Sequence, residues 1–233
     1  MDKISLCLTT YNRPNDTLEA FQHVLYDDRI SEIVIVDDCS AREYYDALIA
    51  KIRGLKNPKI KVYRNDKNLG VYENKKVAVS KASNEYVIIF DSDNILPVSY
   101  LNAVYSKEWS PDIILCPVFA RPTFDYRAFA GIPMNKNTIK EHLNKPMLDC
   151  MLNTMNFFVN KNAYIETWKS AKNVNIGDSI WMNYLLLKSG KTLFPLAGAE
   201  YYHKQHAGSN YLVHIDKEGQ ITPLEVKQMI AVL

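Results

Sequence analysis

Acidic side chains gather where hydrophobic runs end in this chain. Ile33-Val34-Ile35-Val36 is followed by Asp37 and Asp38, and the run from Tyr86 to Phe90 by Asp91, Ser92, Asp93 and Asn94. In an extended segment residues two apart face the same way, so Asp91 and Asp93 can converge on one point whereas Asp37 and Asp38 cannot. Converging carboxylates repel each other and need a cation or a proton between them. A hard divalent ion with oxygen ligands, Mg2+ or Mn2+, fits that requirement. Taken singly, Asp-Asp and Asp-Ser-Asp-Asn are equally ordinary turn formers and helix caps. Two such clusters at one sheet edge, each after a hydrophobic strand, favour a site.

A third acid, Asp178 in Gly177-Asp178-Ser179-Ile180-Trp181, opens a helical pattern and by position alone is a plain N-cap. Two of the five histidines, His203 and His206, fall in Tyr202-His203-Lys204-Gln205-His206-Ala207-Gly208-Ser209, which also reads as an exposed polar loop. His23, His142 and His214 belong to no constellation and read as surface or packing residues.

The elements that must position these groups alternate. Strands are expected at Ile4 to Leu8, Ile33 to Val36, Ile60 to Tyr63, Tyr86 to Phe90 and Ile113 to Val118. Helices are expected at Asp16 to Tyr26, Ala41 to Leu55, Tyr72 to Ala82 and Pro97 to Lys107, the last opened by its proline. The β-branched run Ile33 to Val36 is the mark of a strand covered on both faces. Such alternation implies a mostly parallel sheet with helices on both faces, and ligands then bind beyond the carboxyl ends of the strands.

From Phe119 to Asn144 no period is sustained, which suggests a long, partly ordered excursion over a site. A short strand at Phe157 to Val159, helices at Ala163 to Lys169 and Asp178 to Ser189, and extended pieces at Thr192 to Leu196 and Glu200 to His203 follow. Tyr211 to Thr222 reads as a hairpin, and Thr222-Pro223-Leu224-Glu225 as a capping box opening a final helix. That helix runs to the last residue, as in a fragment of a longer protein.

Composition narrows the function classes. A length of 233 residues suits one domain, or one with an appendage. With 28 Lys+Arg against 26 Asp+Glu, a net charge of +2, neither disorder nor a nucleic-acid surface is indicated. No apolar run approaches the about 20 residues that span a bilayer, and Ile4 to Leu8 makes no signal peptide. Cys7, Cys39, Cys116 and Cys150 form no C-x-x-C pair and read as free thiols in a reducing cytoplasm. The sequon Asn15-Asp16-Thr17 equally suits the start of a helix. The eight glycines never lie close enough for a Gly-x-Gly-x-x-Gly or Walker-type loop, so a phosphorylated ligand would need another device to neutralise its charge.

Four segments together resemble glycosyltransferase family 2, nucleotide-sugar transferases of the GT-A fold. They are Leu6-Cys7-Leu8-Thr9-Thr10-Tyr11-Asn12-Arg13-Pro14, Ile33 to Ser40, Asn68-Leu69-Gly70-Val71, and Glu85 to Asn94. The resemblance is good to roughly residue 120 and weak beyond. It implies an α/β fold with a mostly parallel central sheet flanked by helices and a less regular acceptor-side C-terminal half. Residues 1–118 would form the nucleotide-sugar-binding half, 119–221 the acceptor and catalytic half of the same domain, and 222–233 a C-terminal helix or the start of a further segment.

Position by position, the resemblance implies the following roles. Thr9, Tyr11 and Arg13 border the nucleotide, and Asp38 accepts a hydrogen bond from the imide of uracil, an edge that thymine shares. Lys75 stands where the family often has an arginine near the nucleotide, and Lys76 where it commonly has asparagine, so Lys75 also reads as a solvated helix residue. Asp91 and Asp93 match the D-x-D motif, flanking Ser92, with Asp91 near the ribose and Asp93 on a Mn2+ or Mg2+ ion that holds the diphosphate. His206, three residues before Ser209, matches a histidine able to reach the metal. Asp178 matches the catalytic base of an inverting transfer.

The implied partners are a nucleotide-diphosphate sugar, UDP first, and a glycan or other hydroxyl-bearing acceptor. Nucleic acid and a transmembrane segment are not expected, and peripheral membrane contact would suit a lipid-linked acceptor. The aromatics Tyr126, Phe129, Phe157, Trp168 and Trp181 have faces that stack on sugar rings, although aromatics at this density are mostly core. Two rivals stand beside this reading. One is a non-catalytic nucleotide-sugar-binding homologue. The other is a haloacid dehalogenase-like phosphatase using Asp91 and Asp93, whose motif normally follows the first strand rather than the fourth.

Overall fold

The computed structural model describes residues 2–171, 174, 177–204 and 222–233. Its strands are β1 (Ile4–Thr10), β2 (Ile30–Asp37), β3 (Ile60–Arg64), β4 (Tyr86–Asp91), β5 (Asn94–Ile95), β6 (Ile113–Cys116), β7 (Phe119–Arg121), β8 (Phe124–Asp125), β9 (Phe158–Asn160), β10 (Thr192–Pro195) and β11 (Glu200–His203). Its α-helices are α1 (Pro14–Phe21), α2 (Arg42–Leu55), α3 (Val71–Lys81), α4 (Val98–Tyr105), α5 (Leu148–Leu152), α6 (Lys161–Thr167), α7 (Asp178–Lys188) and α8 (Pro223–Ala231).

A seven-stranded sheet in the order β10-β6-β9-β4-β1-β2-β3 forms the centre. All its strands run parallel except β9, which lies antiparallel between β4 and β6. Every residue of β1 is buried, the pattern of a strand covered on both faces. Register brings the carboxyl ends of three strands level: Thr9 stands beside Val36 and Asp91, and Thr10 beside Asp37. The acids that follow β2 and β4 therefore flank the end of β1. A second sheet, β5-β11-β7-β8, starts directly beyond Asp93, where Asn94 pairs with His203 and Ile95 with Tyr202.

Two expectations change. The first helix ends at Phe21 rather than Tyr26, continuing only as a 3-10 turn over Gln22–Val24, and Tyr26 is left exposed. The stretch from Phe119 to Asn144 is more than an excursion. It supplies β7, β8 and two 3-10 turns, and buries Phe129, Met134 and Ile139 completely or nearly so. Its anchors are single apolar residues between strands of two or three residues, so no period marks them in the sequence. The capping box of α8 forms as expected, with Thr222 N donating to Glu225 Oε2 at 2.7 Å and Glu225 N to Thr222 Oγ1 at 3.2 Å. The expected hairpin at Tyr211 to Thr222 lies, but for Thr222, outside the described residues.

Candidate active site

The carboxyl edge of the sheet is organised by short-range polar ties. Asn12 and Cys39 both adopt left-handed backbone, at φ 54° and 61°, which turns the loops after β1 and β2 sharply. The loops then lock together: Asn12 N donates to Ser40 Oγ at 2.8 Å and Ala41 N to Asn12 Oδ1 at 2.9 Å. Asp37 is a structural acid, accepting from Ser40 N and Oγ and facing Arg64. Asp38 is buried and accepts from Asn65 Nδ2 at 2.8 Å and from the backbone of Leu69 and Gly70, each at 2.9 Å. It thereby holds the Asn68-Leu69-Gly70 turn at the head of α3.

At the centre of the site lies a buried ion cluster. Lys75 Nζ sits 2.9 Å from Asp91 Oδ1 and 2.9 Å from Asp178 Oδ2, with its side chain only 2% exposed. The reading of Lys75 as a solvated helix residue is thus overturned. Its face of α3 is inward because Tyr72, Asn74, Ala78 and Val79 are also buried there. Burial alone would depress the Lys75 ammonium, but the two carboxylates outweigh it and hold the group above the ordinary lysine value. Asp91 moves the other way for a carboxylate. Burial pushes it up, Lys75 pulls it down, and repulsion from Asp93 and Asp178 leaves it above the usual aspartate range.

Asp178 is the first residue of α7 and Gly177 holds the N-cap position, so the plain N-cap expected for Asp178 is not what it forms, and its carboxylate meets Lys75. A weak contact from Ser179 Oγ at 3.5 Å reaches its other oxygen. Asp93 is met by the Arg13 guanidinium, which reaches over from the loop between β1 and α1. Beyond it, His203 Nδ1 lies 3.0 Å from Asn94 Oδ1, and Lys204 binds Asp16 and Glu19 of α1.

Thr9 lies nearly buried at the end of β1, while Tyr11 is 45% exposed beside it. Ser92 is buried at 2% exposure, set apart from the flanking acids. His206 lies outside the described residues. Among the described residues no three His, Cys, Asp or Glu side chains are grouped to hold a metal ion. Asp91 and Asp93 remain a donor set of the kind that takes Mg2+ or Mn2+ with one or two carboxylates plus substrate phosphates. The structure also adds residues that the sequence did not flag. Asn156 accepts from Asp91 N at 2.7 Å and so fixes the end of β4, and Asn74 links Asn65 to the carbonyl of Val36. Asparagines in loops and helices carry no pattern that distinguishes such roles.

Fold and carboxyl-edge site together define a GT-A nucleotide-sugar transferase architecture, seen in solved structures of low sequence identity. S. aureus TarS 1-349 in complex with UDP-GlcNAc aligns with a TM-score of 0.69 and 17% identity over 99% of this chain and 66% of that one. GalNAc-T7 with UDP, GalNAc and Mn2+ aligns at 0.66 and 16% over 98% and 47%. The mannosyltransferase PcManGT from Pyrobaculum calidifontis, with GDP-Man and Mn2+, aligns at 0.65 and 13% over 98% and 69%.

The chain belongs to glycosyl transferase family 2, whose family model matches residues 5–164. A putative colanic acid biosynthesis glycosyl transferase, WcaA of Escherichia coli (strain K12), is 30% identical over 110 residues, 47% of this chain. The chain spans about a third of that relative's length, 34%. Family membership removes the dehalogenase-type alternative, whose motif belongs after a first strand. No helix among the described residues is long and apolar enough to cross a membrane.

Proposed function

We propose that this chain is a metal-assisted, inverting glycosyltransferase that moves a sugar from a nucleotide-diphosphate sugar to a hydroxyl of a glycan or other acceptor. The observation that carries the reading is the meeting of Asp91 and Asp178, from distant parts of a family-2 chain, on the single ammonium of Lys75. Lys75 holds Asp178 Oδ2, so Oδ1 is the oxygen that takes the acceptor's proton as its hydroxyl attacks the anomeric carbon. Inversion follows because the acceptor approaches opposite the departing diphosphate.

Asp93 and Asp91 would hold Mn2+ or Mg2+, with His206 as a further ligand. When bound, the ion neutralises charge developing on the diphosphate. Relatives of the same fold solved with Mn2+ support that assignment. UDP is the first candidate nucleotide. A carboxylate has about four acceptor positions, and Asp38 uses three of them on Asn65, Leu69 and Gly70, leaving one for a pyrimidine imide. Thr9 and Tyr11 line the same edge. The four free cysteines support a reducing compartment such as the cytoplasm.

Thermal-shift titration with UDP, GDP and dTDP, each with and without Mn2+, tests the donor assignment. A preferential, Mn2+-dependent response to UDP is expected, and equal metal-independent responses would overturn the proposal. Asp178→Asn should retain nucleotide binding while transfer falls by about 10²–10⁴. An active Asn variant would remove Asp178 from the base role.

A further inference from the structure

Two buried asparagines connect the helix of Asp178 to the strand of Asp91 by a route that avoids Lys75. Asn183 lies on α7, five residues beyond Asp178 and about 7.5 Å further along the axis. It is 1% exposed, and its Nδ2 donates to the carbonyls of Leu152 at 2.7 Å and Thr154 at 3.1 Å. Its Oδ1 is buried without a donor among the described residues, so the amide is held for its NH2 alone. A buried acceptor left open costs stability, which a residue serving packing alone would avoid.

The chain that Asn183 grips then meets β4. The Phe157 carbonyl accepts from Ile89 N at 3.0 Å, continuing the antiparallel pairing of β9 with β4. One rung further, where a backbone carbonyl would serve Asp91 in a regular ladder, Asn156 Oδ1 takes the Asp91 N–H instead, at 2.7 Å. Tyr100 Oη in turn donates to the Asn156 carbonyl at 2.8 Å. Leu152, Thr154, Met155 and Asn156 are each 4% exposed or less, so the link runs through packed interior.

We propose that residues 152–156 are a strut, gripped by Asn183 at one end and joined to β4 through Asn156 at the other, that sets the helix of the base against the strand of Asp91. Asn183 is then a positioning residue for Asp178. The inference rests on the roles assigned above to Asp91 and Asp178. Lys75 reaches both carboxylates on a flexible four-carbon stem and can follow them if they drift. The strut ties backbone to backbone, and so fixes the distance between the two acids.

Amide hydrogen exchange, resolved by NMR on the full chain without ligand, tests the link from both ends, with the amides of β1 as the internal reference. Asn183→Leu removes no bond to Asp91, yet the Asp91 N–H should exchange at least about threefold faster than in wild type. Asn183→Ser, which keeps one donor, serves if the leucine variant does not fold. Asn156→Leu should release the Asp91 N–H outright and also speed the Trp181 N–H, which donates to Gly177 O at 2.8 Å in the first turn of α7. Leu186→Ala, buried on the same helix, should leave the Asp91 N–H unchanged. An Asp91 amide unmoved by the Asn183 variant, or moved equally by Leu186→Ala, would overturn the proposal, as would a Trp181 amide unmoved by Asn156→Leu. None of these readings involves turnover, so an active Asp178→Asn would remove the base role and leave the strut standing.

Discussion

The two ends of the central sheet handle buried acid in opposite ways. At the amino end, Glu32 of β2 accepts from Ser5 Oγ at 2.7 Å and Ser83 N at 2.8 Å and meets Lys61. Burial works against its charge, but the bonds from Lys61, Ser83 and Ser5 outweigh burial and hold its carboxyl below the usual glutamate range. At the carboxyl end, Asp91 is held above the usual aspartate range, because burial and its acidic neighbours outweigh Lys75. One end is satisfied and serves the fold. The other keeps an acid whose burial its lysine does not offset, a perturbed group of the kind that clusters at functional sites.

Removing Lys75 should have the largest effect. Lys75→Met leaves Asp91 and Asp178 facing each other without a cation, and urea denaturation should show a loss of about 3–5 kcal/mol. Adding Asp178→Asn to that background should recover part of it, and no recovery would mean that the clamp is not the cause.

Next comes the amino end, where Glu32→Gln should cost about 1–3 kcal/mol by leaving Lys61 and Ser83 with a weaker partner. The sign of its pH dependence follows from a lowered folded value. The stabilisation is present above the ordinary glutamate range and is lost as pH falls through the folded value. Stability measured down an acid series should therefore fall less steeply in Glu32→Gln than in wild type.

The smallest effect, and the one of opposite sign, belongs to Asp91→Asn. Because the folded value of Asp91 is raised, its favourable contribution is complete at acid pH and is lost as pH rises through that value. The substitution should leave stability at neutral pH unchanged or increase it by up to about 1 kcal/mol. A loss as large as that of Glu32→Gln would erase the contrast between the two ends.

Much of this frame is readable from local pattern. The β-branched runs give the strands, and acids directly after Val36 and Phe90 mark the functional edge. The status of Lys75 is not local, because one of its partners lies 103 residues away and a lysine on a polar-looking helix resembles a solvated one. The same holds for Asp38, whose donors come from a turn 31 and 32 residues on. Strand direction is a further blind spot. Phe158 to Asn160 looks like any short strand, and only its neighbours make it antiparallel.

That reversed strand also bears on how the family could diversify. The chain leaves the sheet at Cys116 and re-joins it at Phe158 on the adjoining strand, at the same rim. Everything between is a side trip with neighbouring endpoints, and closing it costs little more for a long loop than for a short one. The exposed turns of such a segment can change in length at little cost, whereas its buried anchors Phe129, Met134 and Ile139, and Asn156 at the end of β4, are tied to the frame that presents Asp91 and Asp93.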